Sequence, residues 1–110
     1  MLMETLRIIS AEEFKNEILE EKVVVCFSMS WCQPCVAISK ILETLSEENK
    51  DIKFSKIILD LNEDGGKDII GQFGIKSVPT IIFFKEGKIV DKKIGVVSKE
   101  ILLESLLKLG

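Results

Sequence analysis

The 110-residue sequence contains no histidine. Without an imidazole there is no Ser-His or Cys-His pair, so the usual routes to an activated nucleophile are closed. With only three cysteines beside that absence, the chain alone cannot assemble the common four-ligand zinc site of Cys and His, and no metal site is expected. No Pro/Gly/Ser-rich linker, internal repeat or low-complexity tract interrupts the sequence, so residues 1–110 are expected to form a single domain. No apolar run approaches transmembrane length. The segment Met1–Ser10 lacks the basic start, long apolar core and small-residue cleavage site of a secretory signal, which makes a cytoplasmic protein the simplest expectation. Positive charge is not in excess either. The 15 Lys and Arg residues are interspersed with 18 Asp and Glu, giving a net charge of −3, and neither nucleic acid nor membrane is expected as a partner.

What is present is the balance of a globular protein, with 46% hydrophobic and 30% charged residues. Three cysteines make an odd number, and in a reducing compartment a structural disulfide framework is not expected. Each cysteine should therefore be reactive, metal-binding or simply buried.

Strand and helix patterns alternate along the chain. Thr5–Ile9 reads as a short first strand. Ser10-Ala11-Glu12-Glu13 has the spacing of a capping box, opening a helix with Ala11, Phe14 and Ile18 on one face and ending at Glu20-Glu21-Lys22. Val23–Phe27 is a continuous apolar, β-branched run, as expected of a central strand covered on both sides. After Pro34, Ile38, Ile41, Leu42 and Leu45 recur at helical spacing to about Asn49. Phe54–Leu61 reads as a third strand, and the polar stretch Asn62–Gly66 leads into a short helix ending near Phe73-Gly74. Thr80–Phe84 and Ile89–Ile94 flank Lys85–Lys88, a segment short enough for a hairpin turn. Ser98 can cap a last helix carrying Ile101, Leu102, Leu106 and Leu109. The pattern predicts an α/β fold, a mixed sheet with helices on both faces.

The strongest chemical signal is Cys32-Gln33-Pro34-Cys35, placed where an apolar strand ends and a helix begins. The unsatisfied N–H groups of the helix's first turn stabilise a thiolate at Cys32 and make it the attacking group. Cys35, one turn deeper, is shielded. Three-residue spacing puts both sulfurs on one side of the helix, within disulfide reach. Pro34 suits a first turn, where no intrahelical hydrogen bond is lost. The bland alternative is two small buried hydrophobes, since free cysteine is often buried. The strand-to-helix setting of Trp31-Cys32-Gln33-Pro34-Cys35 favours redox chemistry.

With those residues in view, the chain resembles the thioredoxin family over nearly its whole length. The resemblance rests on the Trp31–Cys35 motif, Val78-Pro79-Thr80, Lys56 and Asp60 in strand three, Phe73-Gly74-Ile75, Phe84-Lys85-Glu86-Gly87 and Gly95. It implies a central mixed five-stranded sheet flanked by four helices. It also implies a protein-disulfide reductase in which Cys32 is the nucleophile and Cys35 the resolving thiol. Trp31, Gln33, Pro34 and Lys56 would shape the site, with Trp31 shielding it. Val78, Pro79 and Thr80 would bind substrate in extended form, with Pro79 in the cis form. The implied partners are protein disulfides and a flavin-containing thioredoxin reductase. The implied protein is a monomer with no cofactor beyond a Cys32–Cys35 disulfide.

Three departures from the family pattern carry consequences. Gln33 stands where the commonest motif has glycine and adds no positive charge, which favours electron donation over strong oxidation. Ser28-Met29-Ser30 replaces a stretch that usually includes an aromatic residue. Cys26 occupies the place of a buried aspartate that assists proton transfer at the second cysteine, and it reads as an inert core thiol. The rival functions are a disulfide oxidase or isomerase, a non-enzymatic binding module with incidental cysteines, and metal or iron-sulfur binding by cysteines from two chains.

Overall fold

The computed structural model describes residues 6–110. Among them the order is β1 (Leu6–Ile8), α1 (Ala11–Glu17), β2 (Lys22–Ser28), α2 (Gln33–Glu48), β3 (Lys53–Ile58), a 3-10 turn (Leu59–Leu61), α3 (Glu63–Phe73), β4 (Thr80–Lys85), β5 (Lys88–Ile94) and α4 (Lys99–Leu107). The five strands form one sheet in the order β1-β3-β2-β4-β5. β1 and β2 run parallel to β3, while β4 runs antiparallel to β2 and β5 to β4. This is the mixed sheet with helices on both faces that the periodicity implied.

The central place of β2 follows from its composition. Val23, Val24, Val25, Cys26 and Phe27 are all buried because helices cover both sides. Strand alternation divides them. Val23, Val25 and Phe27 pack with α1 and α3, and Val24 and Cys26 pack with α2 and α4. Each parallel connection needs a crossover helix, so the end of β2 must lead directly into α2. Antiparallel β4 begins beside that same end, with Thr80 opposite Phe27. The fold thus brings Trp31–Cys35, after the C-terminal end of β2, beside Val78–Thr80 at the start of β4.

Local signals hold well. Ser10 and Glu13 form the reciprocal capping box, and Ser98 accepts the Ile101 N–H at 3.2 Å. Gly74 closes α3 with φ 62° in the left-handed region, where a side chain would be strained. The β4–β5 hairpin turns on Glu86 and Gly87, both at positive φ, as a two-residue turn requires.

Several boundaries differ from expectation. Thr5 lies outside the described residues, and β1 stops at Ile8. Helix α1 ends at Glu17 rather than at Glu20–Lys22, with Ile18 as its C-cap, and Lys22 already belongs to β2. Strand β3 stops at Ile58, not Leu61. Its ladder with β2 runs out at the Ser28–Ile58 pair, and Leu59–Leu61 winds into the 3-10 turn, so Asp60 is not a strand residue. Helix α3 takes in Gly65 and Gly66 instead of following them. A Cβ at Gly65 would lie 2.7 Å from the Ala11 Cβ, and one at Gly66 would collide with the Leu59 carbonyl. Glycine there exchanges helix propensity for close packing. Ile101 is 39% exposed, and Ser105 takes a buried place on the inner face of α4.

Candidate active site

Cys32 is the N-cap of α2 and Cys35 sits in its first turn, with Gln33 and Pro34 exposed between them. The two cysteines form a disulfide with a Cα–Cα distance of 5.3 Å, well inside the range that closes without backbone movement. The Cys35 N–H donates to the Cys32 Sγ at 3.2 Å. A helix-terminal donor therefore points at the sulfur whose thiolate it would stabilise once the bond is reduced. Cys32 is 6% exposed and Cys35 1%, so access favours Cys32 by a narrow margin. Below the pair, the Ser39 hydroxyl donates to the Cys35 carbonyl at 2.7 Å. Ile38, Leu42 and Leu45 anchor the helix in the core.

Val78-Pro79 is a cis peptide. The loop it belongs to is tied at two points. The Thr80 hydroxyl donates to the Ser77 carbonyl at 2.7 Å, and the Gly95 N–H donates to the Pro79 carbonyl at 2.8 Å. Pro79 and Thr80 are buried, and Val78 is partly exposed. Trp31 is no packed cover: it is 71% exposed. With Met29, Ile70, Ile75 and Val78 it lines an apolar groove of about 340 Å³ whose rim carries Lys76. The shielding expected of Trp31 is thus at most partial, because its ring stands largely in water.

The redox pair at a strand-to-helix junction and the cis-proline loop sit on a five-stranded mixed sheet, and comparison with known proteins points the same way. The family model described as Thioredoxin matches residues 5–108. The chain belongs to the thioredoxin family. It is 36% identical over 97 residues to a thioredoxin of Chlorobaculum thiosulfatiphilum, covering 86% of this chain and 87% of that one. It is 40% identical over 86 residues to a thioredoxin of Mycoplasmoides gallisepticum, covering 78% and 82%. The crystal structure of thioredoxin O2 from Arabidopsis thaliana in the oxidized state superposes with a TM-score of 0.81 at 26% identity, covering 98% of this chain and 96% of that one. As a member of that family, the chain is a thiol-disulfide oxidoreductase that reduces protein disulfides.

Cys26 is fully buried, in one cluster with Ile38 and Leu42 of the redox helix. Burial pushes its thiol up to about 12, and the charge of Lys56 draws it down too weakly to compensate. At neutral pH Cys26 therefore stays a thiol, which makes it an ineffective proton acceptor. Lys56 is partly exposed and stands opposite Cys26 in the β2–β3 ladder. It belongs to the neighbourhood of Cys26 rather than to the rim that holds Trp31 and Pro79.

Asp60 belongs to the family pattern and Ser30 to a departure from it, but nothing in the sequence pairs them as the structure does. The Ser30 N–H donates to Asp60 Oδ1 at 2.8 Å, and the Ser30 hydroxyl donates to Oδ2. Hydrogen bonds from that hydroxyl and that N–H hold the Asp60 carboxyl below its usual range. No local pattern joins residues 30 positions apart. Among the described residues, no group of three or more His, Cys, Asp or Glu side chains could hold a metal ion, and no helix is long and apolar enough to cross a membrane.

Proposed function

We propose that Cys32 and Cys35 carry the reduction of protein disulfides, in the roles of nucleophile and resolving thiol. The observation that carries this reading is the Cys32 sulfur at the head of α2, accepting the Cys35 N–H. In the reduced protein, the Cys32 thiolate attacks one sulfur of a substrate disulfide, forming a mixed disulfide and releasing the other substrate sulfur as a thiol. Cys35, as thiolate, then attacks the Cys32 sulfur, closes the Cys32–Cys35 disulfide and releases the second substrate thiol. Two electrons and two protons pass to the substrate.

The oxidised pair needs two electrons from outside, and a flavin-containing thioredoxin reductase is the donor this reading assigns. The disulfide is the whole redox apparatus, with no bound cofactor. Val78, Pro79 and Thr80 receive the substrate backbone in extended form. Trp31, Gln33 and Pro34 shape the approach, and Lys56, beside Cys26 in the ladder, is a further site-shaping residue. The chain works as one monomeric domain in the cytoplasm.

Insulin-disulfide reduction coupled to a thioredoxin reductase tests the reading. Wild-type protein should turn over, and Cys32→Ser and Cys35→Ser should not. A reduction potential close to that of a reducing thioredoxin, about −270 mV, is expected, whereas a value near −180 or −120 mV would assign isomerase or oxidase work instead. Turnover surviving Cys32→Ser would remove the assignment altogether.

A further inference from the structure

The segment between β2 and the redox helix has few means of holding its shape. Ser30 and Trp31 are exposed and Met29 is only partly buried. Within the segment, the Cys32 N–H closes a turn on the Met29 carbonyl at 3.2 Å, and the Ser28 hydroxyl makes a long 3.4 Å contact with that same carbonyl. Among the described residues, the side-chain hydrogen bonds that tie it to another element come from Asp60, which takes both the N–H and the hydroxyl of Ser30.

Asp60 is itself mounted rigidly. It lies in the 3-10 turn, whose Leu59 is buried in the aromatic core. Asn62 pins that turn twice, accepting the Ala11 N–H at 2.9 Å and donating to the Ile58 carbonyl at 2.8 Å. Gly66 lets the first turn of α3 close against the Leu59 carbonyl, where no side chain would fit. The line of connection therefore runs from the core through Leu59 to Asp60, across to Ser30, and along the turn to Cys32.

We propose that Asp60 and Ser30 form a latch that holds the Met29–Cys32 turn on the 3-10 platform, making both positioning residues for the Cys32 thiolate. The latch matters because Cys32 is the N-cap of α2. Its sulfur faces the Cys35 N–H only while the turn enters the helix at the right angle. A loosened turn lets the first turn of α2 fray, and the thiolate loses the donors that stabilise it. A carboxylate bonding a backbone N–H and a hydroxyl together is suited to this task, since charge-assisted hydrogen bonds are the stronger ones.

The proposal rests on the reductase reading for its activity assay but not for its main readout. In reduced full-length protein, the pH dependence of Cys32 alkylation by iodoacetamide is measured for wild type, Ser30→Ala, Asp60→Ala, the double variant and Ser30→Thr, with thermal melting as a control for folding. Each single alanine should raise the pH midpoint of Cys32 alkylation and slow insulin-disulfide turnover, by about fivefold for Ser30→Ala, the weight of one lost hydrogen bond, and by more for Asp60→Ala, which loses two. The double variant should be no worse than the poorer single, because the two residues act through one contact. Ser30→Thr, which keeps the hydroxyl, should stay close to wild type. An unchanged or lowered midpoint in folded single variants overturns the latch, as do single effects that multiply in the double. If wild-type protein failed to reduce insulin while the alkylation midpoints still shifted together, the reductase reading would fall and the latch would stand. Normal turnover with unshifted midpoints would do the reverse.

Discussion

The two faces of the sheet are built from different materials. On the α1/α3 side, Phe14, Phe27, Phe73 and Phe84 form a ring cluster, with Phe14 meeting the other three edge-on at centroid distances of 5.6, 5.4 and 6.1 Å. On the α2/α4 side, Phe54 and Phe83 lie among Ile38, Leu42, Leu45, Leu102, Leu106 and the Cys26 thiol. Each face also carries one carboxylate–serine bond, Glu17 with Ser55 buried on the first and Asp91 with Ser105 partly buried on the second. The comparison separates two tasks. Aromatic packing with fixed edge-to-face geometry holds the scaffold and seats the 3-10 platform through Leu59, while the redox helix lies on the aliphatic side. Its first turn lies just beyond the C-terminal end of β2, with Cys35 buried behind Cys32.

The largest blow to this division should come from Phe14→Ala, which removes the ring that three others touch. A loss of about 3–5 kcal/mol in urea unfolding is expected. The midpoint for Cys32 alkylation in the protein that remains folded should move less than in the latch variants, which act on the Cys32 turn directly. A shift as large as that of the latch variants would mean that the two faces are not separate in function.

Next comes Cys26→Asp, which tests the aliphatic face from within. A carboxylate in that place should cost about 2 kcal/mol or more, because the charge loses water and Lys56 is its only cross-strand partner of opposite sign. Near neutral pH it should also speed resolution of the mixed disulfide. Cys35 must lose a proton in a poorly solvated place, and a thiol pushed up to about 12 cannot accept it. Rapid-quench measurement of attack and resolution separates the steps. Equal resolution rates and pH profiles in two folded proteins would return Cys26 to passive packing.

A smaller effect belongs to Asp91, the polar tie between β5 and α4. Its desolvation alone would raise the carboxyl, yet hydrogen bonds from the Ser105 hydroxyl, the Lys92 N–H and Lys108, with the charge of Lys93, hold it down at about 2. A carboxyl depressed on folding adds stability above its unfolded value near 4, and that stability disappears as the pH falls through about 2. Screened by solvent at its rim, the network is worth about 1 kcal/mol. Urea midpoints at neutral and strongly acid pH should therefore differ less in Asp91→Asn than in wild type, and an equal difference would remove Asp91 from the account.

The mildest test uses the only tryptophan. Since Trp31 is 71% exposed, its emission should be that of a solvated indole and should be quenched readily by iodide or acrylamide. A blue-shifted, protected emission would restore Trp31 to the part of a packed shield.

The site was more legible than the boundaries around it. The Ser10 capping box and the Ser98 cap, the run from Val23 to Phe27, the amphipathic stripe of α2 and the Cys32–Cys35 spacing are local, and each is decided by residues within a few positions of one another. Glu17 is buried against Ser55, 38 residues away, a pairing that no local pattern announces. Ile101 belonged to an apolar stripe, but packing against β5 and α2 selected Leu102, Ser105 and Leu106 as the inner face of α4.

By itself the sequence determined the order of strands and helices, the placing of a dithiol at a helix N-terminus, and the absence of any histidine to act as base. These depend on periodicity, caps and composition, which are properties of short segments. Only the tertiary structure decided that Asp60 reaches Ser30, that Gly95 ties the Pro79 loop, and that Cys26 is too deeply buried to ionise. Those outcomes turn on contacts between segments tens of residues apart. Desolvation and hydrogen-bond partners at such contacts exist only once the chain has closed on itself.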